Sequence, residues 1–104
     1  MFKAMIVLKR NPELDFGAFK SHWLKNHAAL VRQLPGLRRA VFNFSLDHGE
    51  GEVDAISELW FDSEQAFEDA YASAIGQQVA ADSLARVSRR ERVLVEEYTV
   101  FPEA

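Results

Sequence analysis

Between Phe2 and Lys9 the chain carries apolar side chains on both alternations, Ala4, Ile6 and Leu8 on one and Met5 and Val7 on the other. Successive side chains of a strand point to opposite faces, so a strand of this kind needs cover on both. The run stops at Arg10-Asn11-Pro12, where proline has no amide with which to continue a ladder. Any fold open to this chain must seat that strand within a sheet and shelter both of its faces.

The remaining segments narrow the choice. From Asp15 onward Phe16, Phe19, Trp23, His27, Leu30, Val31 and Leu34 recur at spacings of three and four, which predicts a helix capped by Asp15 and closed by Pro35-Gly36. Leu37 to Leu46 and Val53 to Phe61 read as two strands joined through Asp47-His48-Gly49-Glu50-Gly51, a glycine-containing hairpin loop. Asp62 or Ser63 then caps a helix with Phe67, Ala70, Tyr71 and Ala74 on one side, interrupted at Gly76. A further helical piece from Gln77 to Arg90 carries Val79, Leu84 and Val87, with Asp82 as a candidate cap at an internal break. A last strand, Val93 to Phe101, stops at Pro102.

The order is βαββαβ, an α+β fold with a four-stranded antiparallel sheet and both helices on one face, forming a single domain over residues 1–104. The other face is then bare. Strands at ~4.8 Å spacing and ~17 Å length leave roughly 330 Å², worth about 8 kcal/mol at ~25 cal/mol per Å². A sheet-to-sheet homodimer is the expected cover, since a monomer rarely leaves such a surface wet.

Of the 104 residues 48% are apolar and 27% charged, and the formal charge of −4 is scattered along the chain. No basic stripe tracks phosphates, so a nucleic-acid partner is not expected. The absence of cysteine removes thiolate nucleophiles, thiolate metal sites and disulfides, and fits a reducing, cytoplasmic setting. The longest apolar run, Ala4 to Leu8, is too short for a bilayer, so no membrane partner is expected.

His27 falls near the middle of the first helical stripe and is expected to point inward. A core histidine bonded to a carbonyl or a carboxylate explains that placement, and so does a general acid/base at the edge of a cavity. His22 lies about 100° from the centre of the stripe and reads as a rim residue. His48 beside Gly49 belongs to the hairpin loop and is a candidate for folding over a cavity mouth. The spacing of the three histidines makes no metal motif, and neither a metal nor another cofactor is expected.

On the third strand Ala55, Ser57 and Leu59 are assigned to the helix side, which turns Glu58 and Trp60 toward the second copy. In a low-dielectric cavity the Glu58 carboxyl would hold its proton more tightly and act as an acid/base, whereas pairing with Arg38 or Arg39 would make it structural. Asn43 on the second strand is a candidate for orienting a carbonyl.

Three stretches together resemble the EthD family of dimeric α/β-barrel proteins: Phe19 to Leu30 (FKSHWLKNHAAL) followed by Leu34-Pro35-Gly36-Leu37, Asp54 to Ser63 (DAISELWFDS), and Gln78 to Asp82 (QVAAD) ahead of an acidic final strand. The resemblance implies a ferredoxin-like monomer, a sheet-to-sheet homodimer, and a pocket between the first helix and the sheet. It implies a cofactor-independent enzyme acting on lactones, aromatic-pathway intermediates or polyketide-like compounds. His27, from the HAAL segment, is the position it carries over as catalytic. Trp23, Trp60 and Asp82 match recurrent family positions. Ala40 stands where the family usually has a tyrosine, and the missing phenol enlarges the pocket or removes a proton donor.

The leading expectation is an isomerase or lyase in which His27 moves a proton α to a carbonyl while Glu58 or Asn43 steadies the polarised oxygen, with Trp23, Trp60, His22 and His48 contributing to substrate binding. A non-catalytic protein holding a hydrophobic ligand is the second, and a cofactor-free or haem-linked monooxygenase-like protein the third.

Overall fold

The computed structural model describes residues 1–103. Its strands are β1 (Phe2–Arg10), β2 (Arg39–Phe44), β3 (Ala55–Phe61) and β4 (Val87–Glu96), and its helices are α1 (Phe16–His22), α2 (Ala28–Val31), α3 (Glu64–Ala72) and α4 (Ala74–Arg86). A π-helical turn, Trp23–His27, fuses α1 to α2. The sheet is antiparallel in the order β2-β3-β1-β4, so β1 is central, as its two apolar alternations require. This is the ferredoxin-like arrangement.

Ala4, Ile6 and Leu8 of β1 meet Ala55, Leu59 and Phe61 of β3 beneath the helices, which contribute Phe19, Trp23, Val31, Phe67, Ala70 and Val79 to the same core. The opposite face is built in cross-strand rows. Lys3, Trp60 and Arg39 form one; Val93, Met5, Glu58 and Val41 the next; Val7, Ile56 and Asn43 the third. This open face is less uniformly apolar than β1 alone suggests, because Lys3 crosses it to reach Glu58 at 3.0 Å and Glu97 at 2.9 Å.

The capping chemistry is where the sequence places it. Asp15 accepts from the amide of Ala18 at 2.8 Å, and Ser63 rather than Asp62 accepts from Ala66 at 3.1 Å. Gly36 takes φ 77° just past the first helix, a conformation that costs glycine little.

Two boundaries differ from expectation, and both matter for the site. The break in the second helical region falls at Ser73, whose hydroxyl accepts from the amide of Gly76 at 3.1 Å. Gly76 lies inside α4 instead of ending a helix. A Cβ there would meet the Ala70 carbonyl oxygen at 2.1 Å and the Tyr71 Cα at 2.5 Å, so the glycine lets α4 cross close over the end of α3. Asp82 is consequently a mid-helix residue rather than a cap. The final strand begins at Val87 and ends at Glu96, six residues earlier than expected at its start. Its charged run Arg89 to Arg92 looks helical in sequence but suits an edge strand, where charges discourage pairing with other chains.

Candidate functional site

Trp23, His27 and Val31 project from the first helix toward the sheet, and all three are buried. In an unbroken α-helix His22 and His27 would point about 140° apart, since five residues turn through ~500°. The π turn between them bonds residues five apart and rotates His22 onto the same side. Both imidazoles then converge on Asp82 of α4. His27 Nδ1 lies 2.8 Å from Asp82 Oδ2, and His22 Nε2 lies 2.9 and 3.0 Å from the two oxygens.

Burial pushes the Asp82 carboxyl up, but the bonds from His27 and His22 outweigh it and hold the group below its ordinary value. Burial pulls the His27 imidazole below its ordinary value, only partly opposed by Asp82. At neutral pH the pair is therefore a carboxylate and a neutral imidazole. An ionised carboxylate only accepts, so the ring proton sits on Nδ1 and the lone pair on Nε2. Among the described residues that nitrogen has no hydrogen-bond partner. Trp23 stacks on the imidazole with ring centroids 3.9 Å apart and planes 21° apart, and its indole N–H donates to Ser57 Oγ at 3.3 Å.

His27 lines a small, partly open cavity between helices and sheet, together with Trp23, Phe42, Ser57, Tyr71, Ser83 and Arg90. The free space within that envelope holds about one water. Val31 and Phe42 also line an adjoining open groove of about 400 Å³ on the outer side of α2 and β2, which contains Leu24, Ala28, Leu37, Ala40 and the arginines Arg32, Arg38 and Arg39. Ala40 thus stands at the groove, so the side chain missing there enlarges the outer space and leaves the inner cavity unchanged.

The residues singled out in sequence separate into three places. His22, Trp23 and His27 come together. Glu58, Asn43 and Trp60 lie across the sheet from them on the open face, so Glu58 and Asn43 cannot meet a substrate oxygen beside His27. The reason is the two-residue period of the strand: Ser57, their neighbour on β3, takes the helix side. Glu58 also departs from its expected ionisation. Burial raises its affinity for a proton, but Asn43 and Lys3 outweigh burial and hold it below the ordinary value; its ion-pair partner is Lys3, not Arg38 or Arg39. Arg38 pairs with Asp62 and Arg39 stacks over Trp60. Trp60 is sandwiched between Arg39 and Lys3, and its N–H donates to Glu97 at 2.7 Å. His48 takes φ 54° in the hairpin loop, edge-on to Phe16 and away from the cavity.

Four cavity residues were not singled out: Ser57, Tyr71, Ser83 and Arg90. Ser83 follows Asp82 and lies four residues from Val79, a spacing that places it on the buried side of α4 once the helix is known to be continuous. Arg90 carried no signal, because its inward direction depends on β4 starting at Val87. Among the described residues no group of three or more His, Asp or Glu side chains is arranged to hold a metal ion, and no helix is long and apolar enough to cross a membrane.

Residues 11–87 match the EthD domain. Over 98% of its length the chain is 33% identical to the whole of an uncharacterised 11.0 kDa protein from the thcB–thcC intergenic region of Rhodococcus erythropolis. Among solved structures, an ethyl tert-butyl ether D family protein of Bacillus halodurans superposes with a TM-score of 0.79 at 26% identity, covering 94% of this chain and 100% of that one. SnoaB of Streptomyces nogalater, a cofactor-independent oxygenase, gives 0.75 at 19% identity with 98% and 97% covered. A dimeric ferredoxin-like protein of unknown function from Bacteroides fragilis gives 0.73 at 10% identity with 92% and 95% covered.

Proposed function

Since the chain belongs to the EthD family, we propose that it is a cofactor-independent enzyme that moves a proton on a small oxygenated metabolite, with His27 as general base. The substrate class is a lactone, an aromatic-pathway intermediate or a polyketide-like compound, and the reaction an isomerisation or elimination. The observation that carries this reading is the Asp82–His27 pair: a carboxylate fixes the ring proton on Nδ1, and the unpartnered Nε2 faces a cavity bordering an open groove.

In the proposed step Nε2 takes a proton from the carbon next to a carbonyl, the C–H pair becomes the new C=C bond, and the carbonyl π pair moves onto oxygen. Asp82 steadies the imidazolium that forms, and the same nitrogen returns the proton at the product position. Stacking against Trp23 keeps the ring plane fixed while its charge changes. Positioned proton transfer of this kind contributes typically 10²–10⁴-fold.

An oxygenase reading shares the first step, because the carbanion that His27 produces is the species able to react with dioxygen without a cofactor. The likeness to SnoaB favours it. Oxygen consumption by a panel of lactones, hydroxyquinones and β-dicarbonyl compounds separates the two, since an isomerase or lyase consumes none. In either reading His27→Gln loses turnover by at least ~100-fold with an unchanged circular dichroism spectrum; full turnover in that variant refutes the assignment.

The same proposal includes a second copy packed on the open sheet face. Its support is the cross-strand cluster Met5, Val7, Val41, Ile56, Val93 and Val95, with Val93 48% exposed in the single chain.

A further inference from the structure

Arg90 is a part-buried cation of this cavity whose charge is offset, among the described residues, only by the neutral Tyr71 hydroxyl. Its Nε is buried without a hydrogen-bond partner, and so is the hydroxyl of Ser83, which is 3% exposed; both groups line the cavity that His27 faces. Among the described residues no carboxylate pairs with the guanidinium. Its polar neighbours are the Tyr71 hydroxyl, which burial keeps protonated, together with Arg92 and the neutral His27. A guanidinium stays charged when buried, and a buried charge with no counter-charge is disfavoured. Three further arginines, Arg32, Arg38 and Arg39, border the adjoining groove of a chain whose net charge is −4.

We infer that Arg90 Nε–H and the Ser83 hydroxyl form an oxyanion site, receiving the oxygen on which negative charge develops when His27 removes the neighbouring proton. The dimensions agree. The inner cavity takes about one water-sized atom and no ring, so only the substrate's carbonyl oxygen enters it, while the carbon skeleton occupies the groove that adjoins it at Val31 and Phe42. The substrate is on this account a carbonyl compound that forms an enolate or phenolate. The inference rests on His27 being the base, and it replaces Glu58 and Asn43 with two groups on the correct face of the sheet. As the electron pair moves onto oxygen, the developing charge gains two donors already in place, one of them cationic.

The test uses 4-nitrophenol, whose phenolate is coloured and resembles a ring-borne enolate. At a pH where the free probe is mostly neutral, the wild-type protein should bind it as phenolate, shown by the growth of the yellow band. Nitrobenzene, with the same ring and no ionisable oxygen, should bind at least tenfold more weakly. Arg90→Met should weaken phenolate binding roughly 10- to 100-fold and Ser83→Ala by less, while Arg90→Lys recovers part of the loss by restoring charge without Nε–H. His27→Gln should keep phenolate binding while losing turnover. Wild-type protein that binds only neutral phenol, or Arg90→Met that binds phenolate unchanged, overturns the oxyanion site and leaves the base untouched. Turnover persisting in His27→Gln while Arg90→Met abolishes phenolate binding removes the base and leaves the anion site. Arg90→Met is expected to melt no lower than wild type; if it does melt lower and Arg90→Lys binds phenolate no better than Arg90→Met, the residue is structural and the inference fails.

Discussion

Asp82→Ala removes the single carboxylate on which two imidazoles from another helix converge, and its consequence can be worked out from the geometry. The bond to His27 Nδ1 is 2.8 Å long, with side-chain exposures of 5% and 17% at its two ends. A hydrogen bond to a charged group in such a setting contributes about 1.5–3 kcal/mol. His22 is 18% exposed and has more access to water, so its share is nearer 0.5–1 kcal/mol. The variant should lose about 2–4 kcal/mol, which for a domain of this size lowers Tm by roughly 10–25 °C at equal protein concentration. A second readout separates orientation from packing. With Asp82 gone, Nδ1–H has no acceptor and the imidazole is free to exchange tautomers, so ¹⁵N shifts of the His27 ring should move from a fixed Nδ1–H pattern toward an average. The group that opposes burial is also lost, so the His27 pKa should fall further below its wild-type value. Asp82→Asn, which keeps shape and discards charge, should fall between. A Tm within about 2 °C of wild type together with an unchanged ring tautomer would refute the claim that this carboxylate organises the site.

Other outcomes follow from the same contacts. Gly76→Ala forces a methyl group against backbone 2.1 Å away, so it should cost about 3 kcal/mol or more in urea denaturation, far beyond the usual effect of alanine in a helix. Proton NMR titration should place the His27 midpoint below 6.5, and catalysis should persist to lower pH than an unperturbed histidine allows. Because the unfolded chain takes up that proton first, His27 makes the fold lose stability as pH drops below 6.5; Asp82, held below 3.8, adds a further loss as pH falls through its own folded value. Val93→Arg places a charge on the open face and should convert a dimer to monomer in light scattering, whereas an unchanged mass would exclude that face as the interface.

The fold was legible because its signals are redundant. β1 needed cover on both sides, the first helix carried a stripe of seven residues, and Asp15 and Gly36 marked its ends; together these fix the order and the layers. His27 was legible for the same reason, as the polar member of an apolar stripe. Its partners were not. His22 lies off that stripe in any α-helical projection, and no residue in Trp23 to His27 announces a π turn. Asp82 looked like a cap because Gly76 looked like a helix end, although the glycine is required by a helix crossing seen only in three dimensions. Arg90 lies in a charged run whose period fits a helix as well as an edge strand, and a shift of that boundary decides whether it faces water or the cavity. Glu58 was assigned to the correct face, but the same assignment places it across the sheet from His27, a conflict visible only once both residues are placed against one sheet.

The π turn has a consequence for how this helix tolerates change. A five-residue turn holds one residue more than an α-helix needs over the same rise, so deleting a residue such as Asn26 should leave a straighter and intrinsically more favourable helix. The chemistry would be kept: at a spacing of four residues His22 and His27 would stand about 40° apart in an α-helix, so both imidazoles would still face Asp82. The extra residue is needed only while five positions separate the two imidazoles, and an ordinary helix with a four-residue spacing would present the same pair to the same carboxylate.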